Sequence, residues 1–145
     1  MKKTHLIILG AGKPHLGKDP SALLKVFENM HSLNFLLNFA KQLKIRTTYV
    51  SGYKNNKIKR KFPNLKIVYN KNWKKTGPVY SLNNVKINDD ENIIVLYSDV
   101  LIRFETFKRL VENNDEVLCL IDSKYKNRYK YRDNKDLESK EKIYF

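Results

Sequence analysis

The chain has 145 residues, 41% of them hydrophobic, with one cysteine and a formal net charge of +14. That length suits a single domain with a core of its own, and no apolar run approaches the roughly 20 residues of a membrane-spanning helix. One cysteine excludes an internal disulfide, and the excess positive charge raises the question of an anionic partner.

The first predicted element is a strand over the apolar run Leu6-Ile7-Ile8-Leu9. Four apolar residues in succession suit a strand buried on both faces, as in a parallel sheet covered by helices. A loop with three glycines follows, Gly10-Ala11-Gly12-Lys13-Pro14-His15-Leu16-Gly17-Lys18-Asp19-Pro20. In open α/β sheets ligands sit at the C-terminal edge of the strands. Backbone N–H groups of such a loop can form a concave anion site, with Lys13 and Lys18 adding positive charge. It is neither a P-loop, since no Gly-Lys-Ser/Thr follows, nor a dinucleotide fingerprint, since His15 stands where a third glycine is needed. A bare turn is the plain alternative.

Asp19-Pro20 could open a helix, but the pattern of Ser21 to Phe27 favours extended chain. Ser32 is the expected N-cap of a helix running to about Lys44, with Leu33, Leu36, Leu37, Ala40 and Leu43 on its apolar face. A second strand covers Ile45 to Ser51, ended by Gly52-Tyr53, and a short basic helix covers Asn55 to Phe62, stopped by Pro63. Leu65 to Tyr69 reads as a third strand, Asn70 to Pro78 as a polar loop, and Val79 to Lys86 as a helix. Asn92 to Ser98 holds the most hydrophobic run and is the expected central strand, ending at Ser98-Asp99. A helix over Phe104 to Asn113 and a fifth strand over Glu116 to Ile121, ending in Asp122, complete the alternation. Cys119 is expected to be buried in that last strand, and cytoplasmic residence follows from the cysteine usage and the lack of a signal-peptide pattern. From Ser123 onward the chain is charged and aromatic, with no apolar run before Ile143. Alternating strands and helices predict an α/β fold, a three-layer Rossmann-like sandwich with a mainly parallel sheet.

Lysine supplies 23 of the 29 basic residues and is accompanied by 16 asparagines, a bias spread over the whole chain. Only Lys54, Lys57, Lys59, Arg60 and Lys61 cluster, and the aromatics follow no base-stacking motif. Nucleic acid and membrane are therefore not expected partners, and attraction of small anionic substrates remains. Asp99, directly after a buried strand at the ligand edge, is placed either to hold Mg²⁺ with phosphates and water or to cap the next helix. Asp122 has the analogous place one strand later. His5, His15 and His31 lack metal-ligand spacing. Trp73, Tyr80 and Tyr53 could line a pocket or simply pack.

Six blocks in order, Ile7-Ile8-Leu9-Gly10-Ala11-Gly12, Pro20 to Val26, Val50-Ser51-Gly52-Tyr53, Val68-Tyr69-Asn70, Val79-Tyr80-Ser81-Leu82 and Val95 to Val100, resemble the sugar-phosphate nucleotidyltransferase family. Within it, the likeness is greatest to the phosphocholine and phosphonate cytidylyltransferase branch. The resemblance implies Mg²⁺-dependent transfer of a nucleotidyl group, CTP favoured, to a small phosphorylated or phosphonate acceptor, with release of pyrophosphate. It implies nucleotide contacts at Leu9, Gly10, Ala11, Gly12, Gly52, Asn70, Ser81 and Ser98, and acceptor contacts at Trp73, Tyr80 and Asp122. Asp99 would be the metal ligand and, with Lys13 and Lys25, the catalytic set. Two places depart from the family pattern: Ser21 follows the proline where a lysine is usual, and the loop arginine is missing. A chain this short resembles one domain incomplete at its C-terminal end, fused to a further domain or assembled with copies of itself. The departures make a non-catalytic nucleotide-binding or regulatory module the alternative, and a glycosyltransferase the further one.

Overall fold

The computed structural model describes residues 3–15, 17–125, 127 and 130, so Leu16 and the stretch from 131 to 145 lie outside the described residues. The chain divides into two compact units, the first ending at Asn113 and the second beginning at Asn114. In the first unit four strands form one sheet: β1 (Lys3–Gly10), β4 (Arg46–Ser51), β5 (Ile67–Tyr69) and β6 (Glu91–Tyr97). Two further strands, β2 (Lys25–Phe27) and β3 (Met30–His31), pair as a small antiparallel hairpin. The helices are α1 (Ser32–Gln42), α2 (Asn55–Lys61), α3 (Pro78–Asn83) and α4 (Phe104–Glu112).

The sheet order is β5-β4-β1-β6 and every pairing in it is parallel. Leu6, Ile7 and Ile8 of β1 are fully buried because helices cover both faces of the sheet. Leu6 and Ile8 pack with Leu33, Leu36 and Phe39 of α1, Ile58 of α2 and Phe107 of α4. Ile7 and Leu9 point the other way, toward Leu82 of α3 and Val85. Three layers result, and the α/β sandwich expected from the alternation is what forms. The chain builds outward from β1 through β4 to β5, then crosses back to place β6 on the free side of β1. That reversal moves α3 to the opposite face from α1 and α2, as right-handed crossovers require.

Several expectations need correction. No strand forms over Glu116 to Ile121. Val117, Leu118, Leu120 and Ile121 are exposed, and Cys119 is exposed rather than buried. β6, expected at the centre, is an edge strand of the four-stranded sheet. Val95 is accordingly 40% and Tyr97 38% exposed. Ser21–Leu23 forms a 3-10 turn before the extended stretch begins at Lys25. The N-cap of α1 is His31 rather than Ser32, and the Ser32 hydroxyl instead donates to the Ser21 carbonyl at 2.9 Å. In the second unit, Asp122 starts a turn in which its carboxylate accepts the Lys124 N–H at 3.1 Å. The strand that was to carry Asp122 to a sheet edge is absent.

Candidate functional site

β1, β4 and β6 finish level with one another: Leu9 lies opposite Val50 on one side and Tyr97 on the other, and Gly10 opposite Ser51. The strand order reverses at β1, so the crevice outside these ends is the place where doubly wound sheets bind ligands. The glycine loop leaves from this point. The Ala11 carbonyl accepts the Tyr53 N–H at 2.8 Å. Farther on, the Lys18 carbonyl accepts the Tyr53 hydroxyl at 3.2 Å and the Lys54 ammonium at 2.6 Å. Asp19 pairs with Lys57 at 2.6 Å and Lys54 at 3.7 Å. The Lys57 hydrogen bond, more than any other influence, holds the Asp19 carboxyl below the ordinary carboxylate range. These contacts pin both ends of the loop to the β4–α2 connection, while Gly12 and Lys13 stay exposed between them.

Gly10 and Gly12 have different reasons to be glycine. A Cβ on Gly10 would stand 2.1 Å from the Tyr49 hydroxyl oxygen and 2.6 Å from Cζ, whereas one on Gly12 would meet nothing within 4 Å. Tyr49 is fully buried and donates to the Gly10 carbonyl at 3.0 Å. Burial pushes its phenol far above the ordinary tyrosine range, with the nearby Ser98 side chain opposing and the Asp99 charge adding to the shift. Ser98 in turn shares a 2.9 Å hydroxyl contact with Ser21. Its backbone N–H donates to the Leu9 carbonyl at 2.9 Å. Asp99 therefore stands beside the end of β1, close enough for its charge to reach the phenol that holds Gly10. It is exposed, and among the described residues its carboxylate has no hydrogen-bond or ion-pair partner. It does not cap α4, which starts five residues on behind Arg103.

Gly52 sits against the Ala11 carbonyl, 2.4 Å from where its Cβ would be, and against Trp73. Trp73 packs edge-on to Tyr53 with ring centroids 5.4 Å apart. Asn70, 1% exposed, closes the polar loop: its amide donates to Thr76 at 2.9 Å and Ser81 at 3.0 Å, and its carbonyl accepts the Asn72 N–H at 2.9 Å. Tyr80 is partly exposed, its hydroxyl accepting from Asn72 at 3.1 Å. Next to it a groove of about 200 Å³ opens along β6, lined by Leu9, Pro78, Val79, Leu82, Val95 and Tyr97. Its walls are apolar, so it suits the uncharged part of a ligand. Lys25 is exposed on β2.

The structure thus gathers Leu9, Gly10, Ala11, Ser98 and Asp99 at one strand-end crevice, and Asn70, Trp73, Tyr80 and Ser81 on the loop and helix after β5. Among the described residues no three His, Cys, Asp or Glu side chains cluster as a metal site. A Mg²⁺ ion coordinated by one or two carboxylates, with phosphate and water oxygens completing six, would still fit an unpaired Asp99. Sequence reasoning missed Tyr49, Val79 and Tyr97. No local signal in the run Thr47-Thr48-Tyr49-Val50 marked the first.

Strand order, all-parallel pairing and helices on both faces define a Rossmann-like α/β sandwich. The crystal structure of Rv0371c from Mycobacterium tuberculosis H37Rv has a similar fold, with a TM-score of 0.58 at 15% identity over 77% of this chain and 59% of that one. In sequence, the chain is similar to the bifunctional protein GlmU of Buchnera aphidicola subsp. Baizongia pistaciae (strain Bp), 31% identical over 135 residues. The match covers 88% of this chain and 30% of that protein's length. No family model matches the chain. Among the described residues no helix is long and apolar enough to cross a membrane.

Proposed function

We propose that the chain transfers a nucleotidyl group from a nucleoside triphosphate, CTP favoured, to a small phosphorylated or phosphonate acceptor, with pyrophosphate leaving. The observation that carries this reading is the adjacency of an unpaired carboxylate, Asp99, to the glycine loop, fixed by the Ser98–Leu9 backbone bond. Amides of Gly10 to Lys13 would cradle the polyphosphate. Lys13 and Lys25, both exposed and without an ion-pair partner among the described residues, would balance its charge. Asp99 would hold Mg²⁺, which when bound neutralises charge on the triphosphate. The apolar groove beside Leu9 and Tyr97 would seat the uncharged part of the nucleotide or acceptor, with Gly52, Asn70, Ser81 and Ser98 shaping the nucleotide side and Trp73 and Tyr80 the acceptor side.

An acceptor oxygen attacking the α-phosphorus in line needs no strong base, so the work is orientation and charge stabilisation. The test is exchange of labelled pyrophosphate into each triphosphate in the presence of Mg²⁺; absence of exchange with all of them removes the enzyme reading. A second reading, a nucleotide-binding module without turnover, is favoured by Ser21, whose neutral side chain is engaged with Ser98. It predicts triphosphate binding without exchange, indifferent to Asp99→Ala.

A further inference from the structure

The crevice floor is held by hydroxyl groups that converge from four separate elements. A phenol has one proton to give, and Tyr49 gives it to the Gly10 carbonyl. Ser98 at the end of β6 and Ser21 in the turn behind the loop share a hydroxyl–hydroxyl bond of 2.9 Å. Ser32 at the start of α1 secures the Ser21 carbonyl at 2.9 Å. Two ties result: Tyr49 of β4 holds the carbonyl where β1 becomes the loop, and Ser98 and Ser32 hold the turn behind the loop. Hydrogen bonds are electrostatically stronger in a low-dielectric interior than in water, and Tyr49, Ser32 and Ser98 are all buried. Simple packing would be served as well by phenylalanine, without the cost of burying a hydroxyl.

We propose that Tyr49 and Ser98 are positioning residues for the glycine loop: Tyr49 fixes the exit of the loop at Gly10, Ser98 fixes its return at Ser21, and together they set the spacing of the loop amides. The role as a phosphate cradle rests on the function proposed above; the mechanical role does not.

The experiment is amide hydrogen exchange on the free protein, followed by titration with MgCTP. In Tyr49→Phe, exchange at Tyr53, whose N–H donates to the Ala11 carbonyl of the loop, should rise about tenfold, the value of one neutral hydrogen bond, while Ile7 and Ile8 in β1 keep their protection. Affinity for MgCTP should fall by a similar factor. Ser98→Ala should raise exchange at Leu24, whose N–H donates to the Ser21 carbonyl, and lower MgCTP affinity, and Ser98→Thr, which keeps the hydroxyl, should restore both. Unchanged Tyr53 exchange in Tyr49→Phe, or a rise shared equally by Ile7 and Ile8, overturns the proposal, as does wild-type MgCTP affinity in that variant. If the wild-type chain binds no triphosphate, the nucleotide reading falls while the exchange result still decides the mechanical one. Should Tyr49→Phe not fold, the Ser98→Ala and Ser98→Thr pair carries the same comparison.

Discussion

Substituting the two loop glycines separately distinguishes packing from ligand approach. In Gly10→Ala the new methyl would lie 2.1 Å from the Tyr49 hydroxyl oxygen, 2.6 Å from Cζ and 2.8 Å from Cε2. Two ring carbons are involved besides the hydroxyl oxygen, so a rotation of the hydroxyl cannot relieve the overlap; the whole ring must shift, and Tyr49 is fully enclosed. Overpacking of this kind costs about 1–3 kcal/mol. Loss of the phenol–carbonyl bond adds about 1 kcal/mol, so Gly10→Ala should destabilise by roughly 2–4 kcal/mol. Gly12→Ala meets nothing within 4 Å and needs no positive φ. It should be neutral, or stabilise by up to about 1 kcal/mol through the unfolded chain. Urea unfolding followed by Trp73 fluorescence, with m-values compared, measures both. Under the proposed function, Gly12→Ala should still weaken triphosphate binding, because its methyl projects into the open side of the loop. A Gly10→Ala cost below about 0.5 kcal/mol, within the spread of ordinary surface changes, would refute the packing argument. Equal destabilisation by the two substitutions would do the same.

Four further outcomes are expected. His5 is fully buried, accepting from Arg46 at 2.7 Å through Nδ1 and donating to Thr48 at 2.9 Å through Nε2. Burial first, then the Arg46 charge, lowers its pKa below 6.5, with Glu91 opposing. The unfolded chain therefore takes up a proton that the fold resists, and stability should fall as pH drops below 6.5, by at most about 1.4 kcal/mol per pH unit. In His5→Gln urea midpoints that decline should be lost, and an unchanged decline would show that other groups cause it. Asn70→Leu strips partners from Thr76, Ser81 and the Asn72 N–H. A loss of about 2–3 kcal/mol in urea unfolding is expected, and under 1 kcal/mol would show that the polar loop holds itself. Asp99→Asn should leave unfolding unchanged, since the carboxylate has no partner among the described residues. It should abolish the Mg²⁺-dependent part of any thermal shift with CTP, and survival of that part would remove Asp99 as the metal ligand. Cys119, exposed, should react fully with a thiol reagent without denaturant; protection until unfolding would restore the buried strand read from the sequence.

Periodicity exposed most of the first unit. The stripe of Leu33, Leu36 and Ala40 located α1, and the apolar runs ending at Leu9, Ser51 and Tyr69 located three of the parallel strands, because burial on two faces leaves a local signature. What stayed hidden depends on partners far along the chain. Val117 to Ile121 has the composition of a buried strand, yet a strand exists only where it is paired, and a short apolar run does not encode its neighbour. The same absence accounts for β6. Its run of Ile93 to Leu96 is the most hydrophobic, but a place at the centre or the edge belongs to the sheet, not to the strand. Ser32 looked like a cap because capping is local; its actual acceptor, the Ser21 carbonyl, lies eleven residues back. Tyr49 was invisible for the same reason, its partner Gly10 being 39 residues away.

Strand order explains why the chemistry-bearing groups converge at β1. Had β6 followed β5 at the outer edge, Asp99 would lie three strands from the glycine loop, some 14 Å at the roughly 4.8 Å spacing of neighbouring strands. Crossing back instead puts Ser98 against Leu9 and brings the Asp99 charge to the phenol under Gly10. The same crossing sends α3 to the face opposite α1, which opens the apolar groove between Leu9, Val79 and Val95. A polyphosphate cradle, a single acid and an apolar seat are thus all consequences of one reversal in strand order. Moving that reversal, by permuting the chain so that β6 pairs elsewhere, would separate the three at once.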